Sequence, residues 1–300
     1  MSIDAHPGLP DFDYIKPTTL EEASDFLIAH SGEARPLMGG TDIFVRMRSA
    51  GWNDKYLVDV KGLEGMNDLS YDPKKGLSIG AAVNMNRVIA SREVQDNYVL
   101  LFQAASSVAS YQLRTRATIV GNICNASPAG DTIGACILLG GVLHVHSDGG
   151  IRQEPLNTFF KGPGETLLRT GDIVTSIHFP VPEEGAIGTY IKLGRNKASD
   201  LSIVGVTVLG YPDEKVPSGY RIRLALASVA PLPLVVDQVE AILSENEIDE
   251  DRLTMAAEAA MHTCTPIDDV RASARYRKEM ARNLSFNALK KIWKDLKNYH

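Results

Sequence analysis

The segment Pro180-Val-Pro-Glu-Glu-Gly185 constrains the fold of this chain more than any other feature, because its composition is typical of a linker. Proline lacks a backbone N–H and is disfavoured in helix interiors and central strands, so neither element is expected to run through this segment. The alternating strand pattern at residues 172–179 ends directly before it. The chain has 300 residues, and a common domain has ~150. We therefore predict one unit that ends at residue 180 and a second that spans residues 186–300.

Strand and helix patterns are arranged differently in the two units. In the second unit, strand patterns at 188–193, 202–211 and 220–229 precede helical patterns at 236–243, 253–262 and 273–297. Strands followed by helices predict an α+β domain, here a three-stranded antiparallel sheet with helices. In the first unit, strands and helices mix without the regular spacing of βαβ repeats, so the predicted class is again α+β.

Local signals in the first unit predict individual elements. Thr18 with Glu21 has the spacing of a capping box and predicts a helix from about Leu20. A helical face beginning at Val99 predicts a helix that extends to about Gln112. Ser147-Asp-Gly-Gly150 is a strong hairpin turn signal.

Composition excludes several classes of function. The net charge is 31 − 37 = −6, which argues against a nucleic-acid-binding protein. The longest apolar run, Ile133–Leu143, has 11 residues, fewer than the ~20 that span a membrane. The N-terminus shows no targeting signal, so we expect a cytoplasmic protein. Cys124, Cys136 and Cys264 form no CxxC pair and are too few for an iron–sulfur cluster with four cysteine ligands, so any cluster must belong to another chain.

The motifs of dinucleotide-binding, P-loop, α/β-hydrolase and HExxH metalloenzymes are all missing from the sequence. Two glycine passages remain. The first is a predicted strand at 34–38 that continues into Gly39-Gly40-Thr41-Asp42, and the second is a predicted strand that leads through Thr118 to Gly121-Asn122. Glycine leaves the backbone uncovered, so successive N–H groups can turn toward an anion such as a diphosphate. One such turn after a strand is usually structural, but two of them favour a phosphate-containing ligand.

The sequence strings around these glycines resemble the two FAD-binding motifs in the flavin subunits of molybdenum hydroxylases. They are Arg35-Pro-Leu-Met-Gly-Gly-Thr-Asp42 and Ala117-Thr-Ile-Val-Gly-Asn122, with the continuation Asn125–Asp131. The family includes the FAD (medium) subunits of xanthine, carbon monoxide and nicotinate dehydrogenases. The resemblance covers nearly the whole chain and includes Asp269-Val-Arg-Ala-Ser-Ala-Arg-Tyr-Arg277.

The resemblance implies an FAD-binding fold of the vanillyl-alcohol-oxidase (PCMH) type in two subdomains, residues 1–55 and 56–180, followed by the family's C-terminal domain. It implies that the FAD diphosphate is held by the two glycine motifs and that Asp131 meets sugar-type hydroxyls. Val108 would lie against the cofactor, Ile173 or Val174 and Lys192 would contact its isoalloxazine or adenine portion, and Tyr190 would approach the flavin. The residues expected from the two motifs are Arg35, Pro36, Leu37, Met38, Gly39, Gly40, Thr41, Asp42, Ala117, Thr118, Gly121 and Asn122.

The same resemblance implies a function. The chain would carry electrons through FAD, with molybdopterin on a large partner subunit and [2Fe–2S] clusters on a small one, commonly in a dimer of heterotrimers. NAD, quinone, ferredoxin and oxygen all remain open as the acceptor, and no catalytic acid or base is expected from this chain. Two departures from the family pattern stand out: Val120 replaces a glycine, and Met38 replaces a smaller residue.

Two alternatives remain open from the sequence. The first is a self-sufficient flavoprotein oxidase or dehydrogenase on the same fold, although no His or Cys is obviously placed to attach a flavin. The second is a scaffold protein that has lost FAD, and the observation behind this alternative is Val120 in place of a glycine.

Overall fold

The computed structural model describes residues 8–48, 52–196 and 199–298. The first elements form a small parallel sheet with the strand order β1-β3-β2. They are β1 (Asp13–Ile15), α1 (Leu20–Ala29), β2 (Ala34–Leu37), α2 (Ile43–Arg46) and β3 (Tyr56–Asp59). The predicted subdomain boundary after residue 55 would separate β3 from the two strands it pairs with. We therefore propose that the first subdomain extends through residue 59. Residues 1–7 and 49–51 of the predicted subdomain lie outside the described part of the chain.

A five-stranded antiparallel sheet with the strand order β4-β5-β10-β6-β7 follows. The predicted hairpin at Ser147–Gly150 joins β6 to β7. The elements are β4 (Leu69–Asp72), β5 (Gly76–Gly80), α3 (Met85–Ala90), α4 (Arg92–Asn97), α5 (Val99–Ser106), α6 (Tyr111–Arg114), α7 (Ile119–Asn125), α8 (Ile133–Leu138), β6 (Val142–Ser147), β7 (Gly150–Pro155), β8 (Phe160–Gly162), β9 (Glu165–Thr166) and β10 (Ile173–Phe179).

The C-terminal domain is an antiparallel sheet with the strand order β11-β12-β13-β14, followed by helices. Its elements are β11 (Ile187–Leu193), β12 (Val204–Pro212), β13 (Tyr220–Ala227), β14 (Leu234–Val235), α9 (Asp237–Ser244), α10 (Glu250–Thr263) and α11 (Ala274–Lys297). The predicted α+β class is confirmed, and the short strand β14 is added to the three predicted strands. No helix among the described residues is long and apolar enough to cross a membrane.

The sheet of the C-terminal domain is covered on both faces. Alternate residues of β12, such as Val206 and Val208, pack in the core formed with α9, α10 and α11, whereas Leu209 belongs to the core of the first unit. Helix α8 lies against the second face, where a Cβ on Gly134 would come within 2.7 Å of the Thr207 hydroxyl. The two units are therefore packed through a shared layer of apolar residues.

Three local predictions need correction. The capping box that starts α1 uses Thr19 and Glu22, one residue later than predicted: Thr19 Oγ1 accepts from the Glu22 N–H at 3.1 Å, and the Glu22 carboxylate accepts from the Thr18 N–H at 2.7 Å. The predicted spacing of three residues between the threonine and the glutamate of the capping box was right. Its register was wrong because two adjacent threonines precede two adjacent glutamates.

The predicted helix from Val99 to Gln112 is two helices, α5 and α6. The Arg114 guanidinium donates to the carbonyls of Ser106 and Val108 at 3.1 and 2.8 Å, which satisfies them outside the helix. Ala109 has a left-handed backbone with φ of 43°, and Ser110 caps the new helix α6. The break places Val108 and Ala109 in a bent connection rather than on a helix face.

The second glycine passage was predicted to follow a strand. It follows the short helix α6 instead. Thr118 is the N-cap of α7, and it forms an isolated β-bridge with Asn84. The β-branched residues at 118–120 suggested extended structure, but the Thr118 hydroxyl accepts the Gly121 N–H at 2.9 Å and starts a helix there.

Replacing Gly76 with alanine should destabilise the first unit. Gly76 has φ of 103°, and an added Cβ would lie 2.0 Å from the carbonyl oxygen of Phe179 in the neighbouring strand. Left-handed strain alone costs roughly 1–2 kcal/mol, so we expect Gly76→Ala to lower the free energy of unfolding by about 2 kcal/mol or more in urea titrations. Gly149→Ala is the matched control, because no atom lies within 4 Å of its Cβ position. Equal stability of both variants would contradict this account.

The ion pair between Asp172 and Arg152 should make stability depend on pH. Burial opposes ionisation of Asp172, but Arg152 donates to both carboxylate oxygens at 2.8 and 2.7 Å, and together with the Arg169 N–H it lowers the pKa of Asp172. A depressed pKa contributes stability above the unfolded pKa of about 3.9, and that contribution is lost as pH falls further.

We therefore expect Asp172→Asn to cost about 1–3 kcal/mol of unfolding free energy near pH 7. The difference from the wild type should shrink as the pH falls below about 4. Urea titrations across this range measure it. Asp148→Asn, at an exposed turn of the neighbouring hairpin, is the control and should cost little at any pH. A constant cost for Asp172→Asn from pH 7 to pH 3 would refute the electrostatic explanation.

Candidate cofactor site

A cavity of about 580 Å³ lies where the small parallel sheet meets the helices of the second subdomain. Five segments form most of its walls: residues 34–43 from β2 into α2, residues 117–125 around α7, the loop at 127–131, the segment 168–174 before and into β10, and residues 199–201 beyond β11. Sites for small molecules and cofactors occupy roughly 300–1,000 Å³. The cavity therefore has the size of a ligand site and is built from both units of the chain.

The first glycine passage forms one wall because it can approach a second backbone segment closely. A Cβ on Gly39 would lie 2.3 Å from the carbonyl oxygen of Arg116, in the segment just before α7. Gly40 has φ of 76°, and its Cβ would lie 2.7 Å from the Phe44 ring. Only glycine satisfies both requirements, so the pair brings the loop after β2 against the entrance to α7.

The second glycine passage forms the facing wall. Thr118 is buried, and its hydroxyl caps α7. A Cβ on Gly121 would lie 2.8 Å from that hydroxyl, so a side chain at position 121 would crowd the cap. Asn122 also lines the cavity, and its Oδ1 accepts a hydrogen bond from Thr132 at 2.8 Å. Val120, which departs from the family pattern, is 3% exposed and contributes to the lining without blocking the cavity.

The structure brings most of the predicted residues together around this cavity. Leu37, Tyr190 and Lys192 are the exceptions. Leu37 is buried beside Met47 and Leu57 in a separate small core. The predicted residues that line the cavity are Arg35, Pro36, Met38, Gly39, Gly40, Thr41, Asp42, Val108, Ala117, Thr118, Gly121, Asn122, Asp131, Ile173 and Val174.

Tyr190 and Lys192 reach the cavity wall through Asp131. The Tyr190 hydroxyl donates to Asp131 at 2.6 Å, and Lys192 Nζ donates to the other carboxylate oxygen at 2.7 Å and to the Ser107 carbonyl at 3.1 Å. Burial raises the pKa of Asp131, and Lys192 opposes that shift. Burial and the nearby carboxylate raise the pKa of Tyr190 well above its usual range, so the phenol keeps its proton. Residues of β11 therefore orient a carboxylate that lines the cavity.

Several residues of the cavity wall were not predicted. The Arg46 guanidinium donates to Asn125 Oδ1 at 2.6 Å, which joins α2 to the end of α7. Ala109 and Ser199 both have left-handed backbones, and the Ser199 N–H donates to the Ala109 carbonyl at 3.3 Å. Arg46 follows Asp42 by one helical turn, which the sequence could have revealed. The contact between Ala109 and Ser199 joins segments 90 residues apart, and no local pattern indicates it.

Cys124 lines the cavity, and burial raises the pKa of its thiol to about 12, so the thiol remains protonated. Cys124, Cys136 and Cys264 are all free. Within residues 8–48, 52–196 and 199–298, no group of three or more His, Cys, Asp or Glu side chains could hold a metal ion.

The residues present fit FAD. Two glycines with no room for a Cβ leave bare backbone on one wall, as close approach of a diphosphate requires. Arg46 and Arg169 add cationic side chains to the lining, and Asp131 adds a fixed acceptor for hydroxyl groups. Apolar side chains such as Val108 and Ile173 supply surface suited to an aromatic ring system.

Known proteins are similar to this chain in sequence and in fold. The chain matches the family model of the FAD binding domain in molybdopterin dehydrogenase over residues 10–182, and that of the CO dehydrogenase flavoprotein C-terminal domain over residues 189–292. It is 29% identical over 284 residues to the carbon monoxide dehydrogenase medium chain of Hydrogenophaga pseudoflava, covering 95% of this chain and 98% of that one. It is 28% identical over 273 residues to the xanthine dehydrogenase FAD-binding subunit of Escherichia coli O157:H7, covering 91% and 92%.

A solved structure of carbon monoxide dehydrogenase from Hydrogenophaga pseudoflava, in a form lacking the Mo-pyranopterin moiety, gives a TM-score of 0.91 at 29% identity. The match covers 96% of this chain and 99% of that one. The resemblance seen in the sequence is therefore confirmed along both units. The chain belongs to the FAD-binding family of molybdopterin dehydrogenases, whose members are oxidoreductase subunits.

Proposed function

We propose that this chain is the FAD-carrying electron-transfer subunit of a heteromeric molybdenum hydroxylase. In this proposal, electrons come from [2Fe–2S] clusters on a small partner subunit and leave to an external acceptor. The observation that carries it is the cavity between the two glycine passages, in a chain whose family binds FAD. FAD, when bound, supplies redox chemistry that couples one-electron and two-electron steps.

The residues around the cavity would bind and orient the cofactor. Backbone at Gly39 and Gly40, the start of α7 at Thr118, and the Arg46 side chain would hold the diphosphate. Asp131, fixed by Tyr190 and Lys192, would accept hydrogen bonds from sugar-type hydroxyls without needing to reorganise. Val108, Ile173 and Val174 would exclude water from the aromatic portion.

The protein itself needs no acid, base or nucleophile for this role. The buried carboxylates Asp131 and Asp172 are both engaged by cations, and the Tyr190 phenol is held protonated. Such groups position a ligand and set the local field rather than move protons in each turnover. This arrangement supports an electron carrier over a self-sufficient oxidase with its own substrate chemistry.

Cys124, Cys136 and Cys264 are free, which agrees with the proposal that the [2Fe–2S] clusters lie on another polypeptide. The relatives named as medium chains or FAD-binding subunits support a small [2Fe–2S] subunit and a large molybdopterin subunit as partners. We further propose a dimer of heterotrimers in the cytoplasm. The acceptor is NAD, a quinone, ferredoxin or oxygen, and the substrate pocket for hydroxylation lies on the large subunit.

Gly39→Ala should weaken FAD binding. The new Cβ would meet the Arg116 carbonyl, so the loop after β2 must move away from α7 and the cavity must widen. We expect the dissociation constant for FAD, measured by quenching of flavin fluorescence, to rise at least ~10-fold, which is about 1.4 kcal/mol.

Gly62→Ala is the matched control, because no atom lies within 4 Å of its Cβ position. It should bind FAD like the wild type. If Gly39→Ala also binds FAD with unchanged affinity, the two glycine passages do not form the diphosphate site.

Affinity purification of the tagged chain from its native host tests the proposed electron path. We expect FAD on this chain, and iron, molybdenum and pterin in stoichiometric amounts on two copurifying chains. Stopped-flow spectroscopy of the complex should show reduction of the clusters and the flavin by electrons released as the substrate is hydroxylated, and candidate acceptors should reoxidise both. Turnover of an organic substrate by the chain alone would instead identify a self-sufficient flavoprotein, and a purified chain that takes up no FAD would identify a scaffold.

A further inference from the structure

A buried arginine far from the glycine passages is connected to the cavity wall. Arg277 in α11 is 2% exposed. Its Nη1 donates to the carbonyls of Ile203 and Ser228 at 2.6 and 3.0 Å, and its Nη2 donates to Asp269 Oδ1 at 2.7 Å. Arg277 therefore links a helix of the C-terminal domain to two segments that leave its sheet, the one before β12 and the one after β13.

One of these segments is strained. Ser228 has a left-handed backbone with φ of 67°, a conformation that is strained for residues other than glycine. Its carbonyl accepts from Arg277, and its N–H donates to the Pro128 carbonyl at 2.7 Å. Ser228 is thus held on one side by Arg277 and on the other by the loop that lines the cavity. Strain of this kind persists only where surrounding contacts fix the conformation.

A second connection runs in parallel. Ser202 is fully buried, and its hydroxyl is 2.8 Å from the Ser228 hydroxyl and 3.4 Å from the Ala129 carbonyl. The neighbouring Asp200 and Leu201 line the cavity directly, and the Ile203 carbonyl accepts from Arg277. Arg277 therefore fixes both ends of a small polar cluster whose other members touch the cavity wall.

We propose that Arg277 is a positioning residue for the cofactor cavity, which it maintains by holding Ser228 and Ser202 against the loop at residues 127–131. That loop contains Asp131, the carboxylate oriented by Tyr190 and Lys192. The inference rests on the proposed function in that the ligand of the cavity is FAD. It adds that the C-terminal domain shapes the site through α11, and not only through β11.

The chemistry of Arg277 supports positioning over simple stabilisation. Its planar guanidinium reaches three acceptors on three separate segments, which the single ammonium of lysine does not reproduce. Arg277 Nε is buried with no hydrogen-bond partner among the described residues. Burying a cation with an unpaired N–H carries a desolvation cost, which offsets what Arg277 contributes to stability. The guanidinium instead fixes the relative placement of its acceptors.

The test compares Arg277→Lys, Ser202→Ala and a control, Arg275→Lys, which changes an 89% exposed arginine in the same helix. Three quantities are measured on the full chain: the dissociation constant for FAD, the hydrogen exchange of amides 129–131 without FAD, and the free energy of unfolding without FAD. We expect the dissociation constant to rise about 10-fold in Arg277→Lys and about 3-fold in Ser202→Ala. Exchange at residues 129–131 should accelerate in both variants, and the control should match the wild type.

The readouts separate positioning from stability, because the affinity of the folded chain for FAD does not depend on how much of it unfolds. Lower unfolding free energy with unchanged FAD affinity and unchanged exchange in Arg277→Lys would overturn the proposal. If that variant does not fold, Ser202→Ala decides, and wild-type affinity and exchange in it would overturn the proposal. If the wild type itself does not bind FAD, the proposed function fails, whereas exchange at residues 129–131 still decides the role of Arg277.

Discussion

The contact between Gly39 and the Arg116 carbonyl is the constraint on which the cavity depends. A side chain at position 39 would place its Cβ 2.3 Å from that oxygen, so the two segments can meet only as bare backbone. This contact joins the loop after β2, from the parallel sheet, to the entrance of α7, from the second subdomain. The left-handed turn at Gly40 then directs the chain into α2, where Arg46 reaches Asn125 at the other end of α7. One close approach therefore aligns both walls.

The C-terminal domain completes the site that the glycines begin. Lys192 and Tyr190 extend from β11 to Asp131, while Ser228 and Ser202 meet the backbone of the same loop from the other side. The loop at 127–131 belongs to no helix or strand and holds only a short turn of its own, so these partners help to fix its conformation. The domain that follows the proline segment is thus part of the cavity, although the linker separates the two units in sequence.

The sequence predicted elements well where one local pattern dominates. The strand at 173–179, the hairpin at Ser147–Gly150 and the long helix α11 follow from alternation, turn chemistry and helical periodicity. It failed where a hydrogen bond from a side chain to the backbone decides the local structure. Arg114 takes the carbonyls that would have continued α5, and Thr118 converts an apparently extended run into a helix start. Most residues of the two glycine motifs do line the cavity, for a related reason, since a position that needs bare backbone is visible in the sequence itself.

The charges around the cavity suit an anionic ligand that must stay bound through many turnovers. Asp172 is engaged by both terminal nitrogens of Arg152, and Asp131 by Lys192 and Tyr190. These carboxylates are therefore compensated before any ligand arrives, and they repel a diphosphate less than free carboxylates would. Arg46 bonds only to a neutral amide in the contacts described, so its positive charge is not cancelled by that partner. Because the compensated groups are fixed in place, the cavity can bind an anion such as the diphosphate of FAD with little reorganisation.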